Sequence, residues 1–183
     1  DGIPTENYIR ALNGLLPHDI RVMSAEVREE SFNSRFDATS RKYRYFMHTG
    51  LPEARDMRYV WKLRQRPNLD TLNDMCSHLK GEIDFATFTA AGDQSLSTNR
   101  YIDTAFFEYR DDILVFEIEA NAFLWKMVRS LTGTLITLER EGKKAYDFKE
   151  ILESRQRSKA LLTAPPTGLF LWEVKFDGIR RHV

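Results

Sequence analysis

The feature that most constrains the fold is a pair of β-rich runs that flank two adjacent aspartates. The stretch RYIDTAFFEYRDDILVFEIEANAF carries β-branched and aromatic residues on both sides of Asp111 and Asp112. Two such runs around a tight polar turn are typical of a β-hairpin, whose strands are antiparallel. The chain is therefore expected to contain an antiparallel sheet.

Helical and strand patterns are mixed along the rest of the chain and do not alternate strictly. Apolar spacing predicts helices over 5–16, 68–80 (stopped by Gly81), 123–138 and 145–154. Besides the hairpin, strands are predicted over 19–29, 41–50, 57–63 and 168–177. This order predicts an α+β protein with a mainly antiparallel sheet and helices packed on one face. We expect a single domain over residues 1–183.

Composition narrows the class of protein. At 183 residues and 42% hydrophobic, the chain is able to bury one substantial core. A single cysteine, Cys76, excludes an internal disulfide and fits a reducing compartment. The chain has no run of about 18 uncharged apolar residues and opens on no leader-like segment. We therefore expect a cytoplasmic protein with no membrane partner.

Charge is balanced overall but uneven along the chain. The 27 Lys and Arg equal the 27 Asp and Glu. Residues 35–66, however, hold nine basic against three acidic side chains, and residues 122–183 hold twelve against seven. Two basic regions in an otherwise acidic chain are able to form a patch for a polyanion. Ordinary solvated surface explains the same counts.

Familiar catalytic motifs are missing. There is no glycine-rich nucleotide loop, P-loop, C-x-x-C pair or G-x-S-x-G elbow. We expect no metal site, because the four histidines are far apart and lack the spacing of metal ligands: His18, His48, His78 and His182. Cys76 fits the apolar face of a helix better than a nucleophile's position. Asp84, in GEIDFATFTAAGD, fits a cap for the turn that follows it.

The helix predicted over 123–138 holds an arginine among apolar residues. On a helical wheel Arg129 shares its face with Trp125, Thr132 and Ile136 instead of with other charges. A buried guanidinium needs a negative partner. Two interpretations stay open, a structural ion pair and an arginine that faces a cleft.

The stretch SRFDATSRKYRYF interleaves basic with aromatic side chains. Basic groups neutralise phosphates, and aromatic rings stack on unpaired bases. A strand with an aromatic core face and a basic solvent face gives the same pattern. The stretch by itself leaves both interpretations open.

Five stretches, in order and spacing, resemble the tRNA pseudouridine synthase A family. They are ALNGLLPHDI, FNSRFDATSRKYRYFM, GEIDFATFTAAGD followed by STNRYI, IEANAFLWKMVRSLTGTLI, and APPTGLFLW. The resemblance covers nearly the whole chain. It implies a homodimeric isomerase that converts uridine into pseudouridine in the anticodon stem-loop of tRNA without a cofactor. The target nucleotide would leave the helical stack for this reaction.

The resemblance also implies roles for single residues. Tyr43 matches the tyrosine that lies against the target base, and Arg129 matches the arginine that pairs with the catalytic aspartate. Leu169 matches an apolar residue that lines the pocket. Contacts to RNA are implied for a further set: Arg35, Lys42, Arg44, Arg100 and Asn121. We therefore expect Arg129 to point into a cleft bordered by Tyr43 and Leu169, without a strong acidic partner from this chain.

The chain departs from the family where the catalytic aspartate is expected. That aspartate lies in a GRTDxGVH-like loop well upstream of the ALNGLLPHDI segment, and no such motif occurs here. Asp1 is too close to that segment to serve. We expect the C-terminal part of a longer enzyme, inactive by itself; the alternative is a non-catalytic module for tRNA binding or dimerisation. Trp125 and Lys126 also stand where the family often has two histidines.

Overall fold

A computed structural model describes residues 3–179 and 181. Asp1 and His182, both considered above, lie outside these residues. The chain divides into two compact units, Asp1–Asp37 and Ala38–Val183, and each is described by itself. The organisation as a single domain stays a prediction.

The first unit contains one helix. The helix predicted over 5–16 is confirmed as α1, Thr5–Leu15. Leu16 is already extended, which is the conformation that sterics favour before a proline such as Pro17. No side chain of α1 is fully buried.

The strand predicted over 19–29 is wrong, because this segment has no regular secondary structure. A strand needs a neighbour to receive its backbone hydrogen bonds, and the described part of this unit contains no other strand. The backbone of Val22 bonds instead to the side chain of Asn13. Its N–H donates to Oδ1 of Asn13 and its carbonyl accepts from Nδ2, each over 2.8 Å. Met23 and Val27, which the alternation would bury, are both exposed.

The second unit is built on a six-stranded sheet. The predicted hairpin is confirmed, and Asp111 turns its corner with a φ of 54°. The strand order is β2-β1-β5-β4-β3, and β6 also pairs with β1. Every pairing is antiparallel except β1 with β2. The strands are β1 Ser40–His48, β2 Trp61–Lys62, β3 Gly81–Asp84, β4 Asn99–Arg110, β5 Ile113–Ala120 and β6 Leu169–Lys175.

Three helices contribute to one core against this sheet. They are α2 Leu69–Cys76, α3 Met127–Arg140 and α4 Ala145–Glu153. Leu72 of α2, Leu131 of α3 and Phe148 of α4 are fully buried in the same cluster as Tyr45 and Phe116 of the sheet. The predicted α+β class is confirmed.

Two predicted helix boundaries are wrong. The helix over 68–80 ends at Cys76, and Gly81 opens β3 instead of stopping the helix. The helix over 123–138 begins only at Met127, because Lys126 has a φ of 59°. This left-handed conformation is incompatible with an α-helix. Trp125 therefore lies on the loop before α3 and not on the face of Arg129.

Alternation along β1 gives the sheet two different faces. We call the side that packs on the helices the helix face; it carries Tyr43, Tyr45 and Met47. The opposite face carries Lys42 and Arg44, because successive side chains of a strand point to opposite sides. None of the described helices is long and apolar enough to cross a membrane.

Candidate active site

Tyr43 lies on the helix face of β1, where β6 runs beside it. In the register of these strands Tyr43 opposes Leu171, and Tyr45 opposes Leu169. The ring of Phe123 meets Tyr43 edge-on, with centroids 4.9 Å apart and an interplanar angle of 84°. Tyr43 and Leu169 both pack at the border of the core and stay half-buried. They form an apolar and aromatic surface that remains partly open.

The phenol of Tyr43 is held in its neutral form at ordinary pH. Burial raises its pKa, and the charge of nearby Arg41 offsets this only in part. The guanidinium of Arg41 donates to the carbonyls of Ala38 and Asn121, each at 2.8 Å. A neutral, fixed ring suits contact with a planar apolar group.

Arg129 lies in the first turn of α3 and reaches the segment that precedes β6. Its Nε donates to the carbonyl of Ala164 over 2.7 Å, and the N–H of Ala164 donates to the carbonyl of Arg129 over 3.0 Å. No Asp or Glu in the described part of the chain lies within 4.0 Å of its guanidinium. The structural ion pair is therefore not found among these residues, and both terminal nitrogens of Arg129 stay available for a carboxylate.

Tyr45 meets the same segment one residue further on. Its hydroxyl donates to the carbonyl of Pro165, and the pKa of Tyr45 is raised by burial and lowered by the charge of Arg129. The burial effect is the larger. The carbonyls of Ala164 and Pro165 thus bind two side chains, one from α3 and one from β1. Neighbouring peptide groups therefore link the two elements that carry the candidate residues.

Two glycines allow this segment to lie close to the core. A Cβ on Gly133 of α3 would come within 1.9 Å of the carbonyl oxygen of Leu162. A Cβ on Gly168, whose φ is +96°, would come within 2.4 Å of the carbonyl oxygen of Phe46. Thr134 adds a contact, since its hydroxyl accepts the N–H of Leu161 at 3.1 Å. Backbone-to-backbone packing fixes the carbonyls that hold Arg129 and Tyr45.

Lys42 and Arg44 lie on the opposite face, within a network of ion pairs. The ammonium of Lys42 is 3.4–3.5 Å from the carboxylates of Glu117, Glu119 and Glu173. Arg44 Nε lies 2.6 Å from Glu117, and its guanidinium stacks 4.3 Å from the centre of Trp172. Both cations already have anionic partners. Their contact with RNA stays a prediction, and these ion pairs give it no further support.

The same network shifts two pKa values. Burial alone lowers the pKa of Lys42, but Glu117 and Glu119 outweigh it and raise that pKa above its usual value. Burial alone raises the pKa of Glu119, but hydrogen bonds from Lys175 and Ser40 outweigh it and lower that pKa. Oε1 of Glu119 lies 2.7 Å from Nζ of Lys175 and 2.8 Å from Oγ of Ser40. Both groups therefore carry their charges over most of the pH range.

Arg100 and Asn121 support the loops at the ends of β4 and β5. Arg100 is buried, and its Nη1 donates to the carbonyls of Ser97 and Asn99 at 2.8 and 2.5 Å. Burial lowers the pKa of Arg100, and Asp93 partly restores it. The side-chain oxygen of Asn121 accepts the N–H of Tyr101 at 2.9 Å. These contacts are structural, and RNA contact by either residue stays a prediction.

Arg35 belongs to the first unit and is exposed, with its guanidinium 5.9 Å from the centre of the Phe36 ring. Two other interpretations are confirmed. Cys76 is buried in the core, and burial raises the pKa of its thiol. Asp84 caps the 3-10 turn Ala86–Phe88 by accepting the N–H of Ala86 at 3.0 Å. No three His, Cys, Asp or Glu side chains among residues 3–179 and 181 are grouped to hold a metal ion.

The described part of the chain places Tyr43 and Leu169 on the helix face, binds Arg129 to the segment before β6, and places Lys42 and Arg44 on the other face. A cleft shared by Arg129, Tyr43 and Leu169 stays a prediction. Sequence reasoning missed the edge contact of Phe123 and the paired carbonyls of Ala164 and Pro165. The two-residue spacing of Tyr43 and Tyr45 signals a shared face, but no sequence pattern reveals a carbonyl partner. Chemically, the surface offers an aromatic wall and a guanidinium ready for a carboxylate.

A sequence model of the family described as tRNA pseudouridine synthase matches residues 75–177. This range includes Arg129 and Leu169. It begins after Tyr43. The alignment with a relative that covers 93% of this chain includes Tyr43.

Three curated relatives are similar to nearly the whole chain, and each is called tRNA pseudouridine synthase A. The protein of Treponema denticola is 51% identical over 171 residues, which cover 93% of this chain and 64% of the relative. That of Treponema pallidum (strain Nichols) is 42% identical, covering 87% and 56%. That of Borrelia hermsii is 35% identical, covering 96% and 72%. The chain thus spans between about half and three quarters of the length of these relatives.

Proposed function

Because the chain belongs to the tRNA pseudouridine synthase family, we propose that it takes part in converting uridine into pseudouridine in the anticodon stem-loop of tRNA. The name of its relatives supports the reaction, and the geometry around Arg129 supports the roles of its residues. We also propose that a carboxylate from protein outside these 183 residues completes the site.

The observation that carries this proposal is the state of Arg129. Its Nε is bound to the carbonyl of Ala164 at 2.7 Å, while the described residues offer no carboxylate to its terminal nitrogens. A guanidinium fixed at one edge presents its other two nitrogens in a planar fork that matches a carboxylate. A module that only bound RNA or dimerised would have no need of an arginine arranged in this way.

In the proposed reaction Arg129 acts on the carboxylate. An adjacent guanidinium favours the ionised form of a carboxylic acid and lowers its pKa. The ionised aspartate then assists cleavage of the glycosidic bond of uridine. The uracil turns while it remains in the pocket and rejoins the ribose through carbon. No atoms are gained or lost in this isomerisation, and the family resemblance implies that it proceeds without a cofactor.

Tyr43 and Leu169 are proposed to hold the uracil during this turn. An everted base needs a surface that replaces the stacking it has lost, and the half-buried Tyr43 ring offers one. The edge contact with Phe123 at 4.9 Å holds that ring in place. Arg35, Arg100 and Asn121 are proposed as weaker RNA contacts. Contact by Lys42 or Arg44 would require their carboxylate pairs to open.

The assembly is proposed from the resemblance, and the location from the composition of the chain together with the resemblance. We propose a homodimer in the cytoplasm, where unmodified tRNA is found. The basic segments at 35–66 and 122–183 support a polyanionic partner, while the total charge of the chain is balanced. Sedimentation of the purified protein over a range of concentrations tests the dimer directly.

The function is tested by a pseudouridine assay on unmodified tRNA. The 183-residue chain and a version joined to the coding sequence that precedes it in its gene are compared side by side. We expect activity only from the longer version, since it supplies the carboxylate. Activity from the 183 residues alone would place the nucleophile in this chain and overturn the assignment of roles.

Variants of Arg129 sharpen the test in the active version. Arg129→Lys keeps the charge but loses the fork, and we expect it to lower kcat roughly 100-fold or more with little change in KM. Lys149→Ala is the matched control, because its partner Glu153 is an exposed helical neighbour at 3.7 Å. Full activity of Arg129→Lys would refute a paired role for the guanidinium. No activity from either length would favour the binding module.

A further inference from the structure

Trp125 exposes a large aromatic ring on a fixed piece of backbone. Its relative exposure is 55%, although Leu124 just before it and Met127 two residues later are buried. The N–H of Trp125 donates to the carboxylate of Asp93 at 2.5 Å, and its carbonyl accepts the N–H of Ala90 at 3.2 Å. An exposed ring on anchored backbone binds a partner at low entropic cost, because little remains to be ordered.

One edge of this ring faces a glycine. A Cβ added to Gly92, whose φ is +88°, would lie 3.6 Å from Cζ3 of Trp125. Because Gly92 carries no side chain, the loop around 90–93 leaves this edge of the indole uncovered.

A cation lies over one face of the exposed ring, which leaves the other face for a base. The ammonium of Lys126 is 4.7 Å from the centre of the Trp125 ring. The φ of 59° at Lys126 sets the direction of this side chain just before α3. No carboxylate of the described residues pairs with it. Ring and ammonium together match a nucleotide, which presents an aromatic face and a phosphate.

The carboxylate that binds the backbone of Trp125 is already engaged. Asp93 accepts the N–H groups of Trp125 and Ser95, the latter at 2.8 Å. Burial alone raises the pKa of Asp93, but these hydrogen bonds and the charge of Arg100 outweigh it and keep the carboxylate ionised. The neighbouring cations Lys126 and Arg100 offset this charge for an approaching phosphate.

The chain connects this ring to the candidate site on both sides. Phe123, two residues earlier, packs on Tyr43, and Arg129 follows four residues later in the first turn of α3. Two peptide units span at most about 7.6 Å between Cα atoms. The backbone of Trp125 therefore lies within about 7.6 Å of that of Phe123, which packs on Tyr43, and this short link places the ring close enough to serve a nucleotide next to the proposed target.

We infer that Trp125 is a stacking platform for an unpaired base next to the target uridine, with Lys126 at that nucleotide's phosphate. The inference rests on the proposed function, because it takes the ligand to be the single-stranded loop of tRNA. Such a platform would hold the loop open while the uridine is out of the stack. It would also set a preference for unpaired over paired RNA, since only an unpaired base exposes its face.

The first measurement is binding of the 183-residue chain to a synthetic anticodon stem-loop and to a duplex of equal charge. We expect Trp125→Ala to weaken binding of the stem-loop roughly 5- to 100-fold and to leave duplex binding unchanged. Trp125→Phe, which keeps a ring, should stay within about threefold of the unaltered chain. Lys126→Ala should weaken both ligands alike and reduce the salt dependence.

The second measurement is fluorescence in a W61F/W172F background, where Trp125 is the remaining tryptophan. The stem-loop should quench its emission and the duplex should not. The single variants at Trp125, read by gel shift, answer the same question if that background does not fold.

Four outcomes decide the inference. Selective loss of stem-loop binding together with quenching supports it. Equal binding by Trp125→Ala, with unquenched emission in the complex, overturns the platform and leaves the proposed function intact. Absence of binding to either RNA overturns the proposed function and the platform with it. A change of Trp125 emission with protein concentration alone would show self-association through this ring and would also overturn the platform.

Discussion

Arg129 and Tyr45 reach neighbouring peptide groups from different elements. Arg129 donates to the carbonyl of Ala164 and Tyr45 to that of Pro165. A buried carbonyl that loses its donor keeps the full cost of its desolvation. The two side chains therefore stabilise the segment that holds them, and their positions depend on each other.

Tyr45→Phe tests this dependence, because it removes only the hydroxyl. We expect the free energy of unfolding to fall by about 1–2 kcal/mol and the melting temperature by roughly 2–8 °C. Tyr43→Phe is the matched control, since the Tyr43 hydroxyl bonds to none of the described residues. Thermal unfolding followed by circular dichroism measures both. Equal stability of the two variants would mean that the Pro165 bond contributes nothing net.

At the scale of elements, the backbone at two points of α3 sets where the helix begins and how closely it packs. Its residue Gly133 admits the backbone of Leu162 closer than any side chain would permit, and its start is fixed by the left-handed Lys126. β1 likewise separates its two faces, with tyrosines on the helix face and cations opposite. The position of α3 therefore depends on a close backbone contact, whereas β1 places Tyr43 through the alternation of its side chains.

Gly133→Ala is expected to destabilise the protein despite the higher helix propensity of alanine. Its Cβ would lie 1.9 Å from the carbonyl oxygen of Leu162, so α3 and the 161–164 segment must separate. We expect a loss of about 1–3 kcal/mol. Gly14→Ala in α1 has no atom within 4 Å of its Cβ and should gain about 0.5–1 kcal/mol. Chemical denaturation of both variants gives the sign, and a stabilised Gly133→Ala would contradict the close packing.

Glu119→Gln tests the ion-pair network on the opposite face. The folded pKa of Glu119 is lowered, so the charge contributes stability above the unfolded value of about 4.3 and loses it as the pH falls through the folded pKa. We expect the variant to be less stable by about 2 kcal/mol at pH 7, with the difference shrinking below pH 4. Urea unfolding across this range measures it.

Glu108→Gln is the control for that series, because the ion pair that the described residues give Glu108 is with the exposed Arg110. It should change stability by less than about 0.5 kcal/mol at any pH. A pH-independent effect of Glu119→Gln would show that shape, not charge, explains the contribution of Glu119.

Periodicity predicted most of this architecture, because hairpins and amphipathic helices carry their pattern locally. β1, the hairpin and α4 were predictable for this reason. The strand over 19–29 was not, since pairing depends on a neighbour that no local pattern reports. The ion pairs of Lys42 and Arg44 were hidden for the same reason, because Glu117 lies more than 70 residues away. The positive φ of Lys126 has no signal in its residue type.

At the scale of the whole molecule, total charge conceals which cations are free to act. Lys42 and Arg44 are committed to carboxylates, whereas Lys62, Arg64 and Arg140 are exposed and have no acidic partner among residues 3–179 and 181. These three border a cavity of about 450 Å³ between β2 and the end of α3. Their exposed charges are able to attract a polyanion, beside the single acidic residue Glu139 that also lines this cavity.

We expect the binding of tRNA to depend on salt through these exposed cations. Three neutralised phosphates predict roughly a 20- to 40-fold loss of affinity from 50 to 200 mM monovalent salt. The triple change K62A/R64A/R140A should flatten the dependence of log affinity on log salt by about 2–3. Lys149→Ala should not alter it. An unchanged slope in the triple variant would direct attention to other cations.

The two faces of β1 also decide where this protein tolerates a change in length. An extra residue within β1 would exchange the tyrosines and the cations between core and exterior, because side chains alternate with a period of two. β6 already absorbs such an extra residue, since its register shifts opposite Lys42 and Tyr43. Insertions and deletions should therefore accumulate in β6 and the loops, while the spacing from Lys42 to Met47 stays the same wherever the protein remains active.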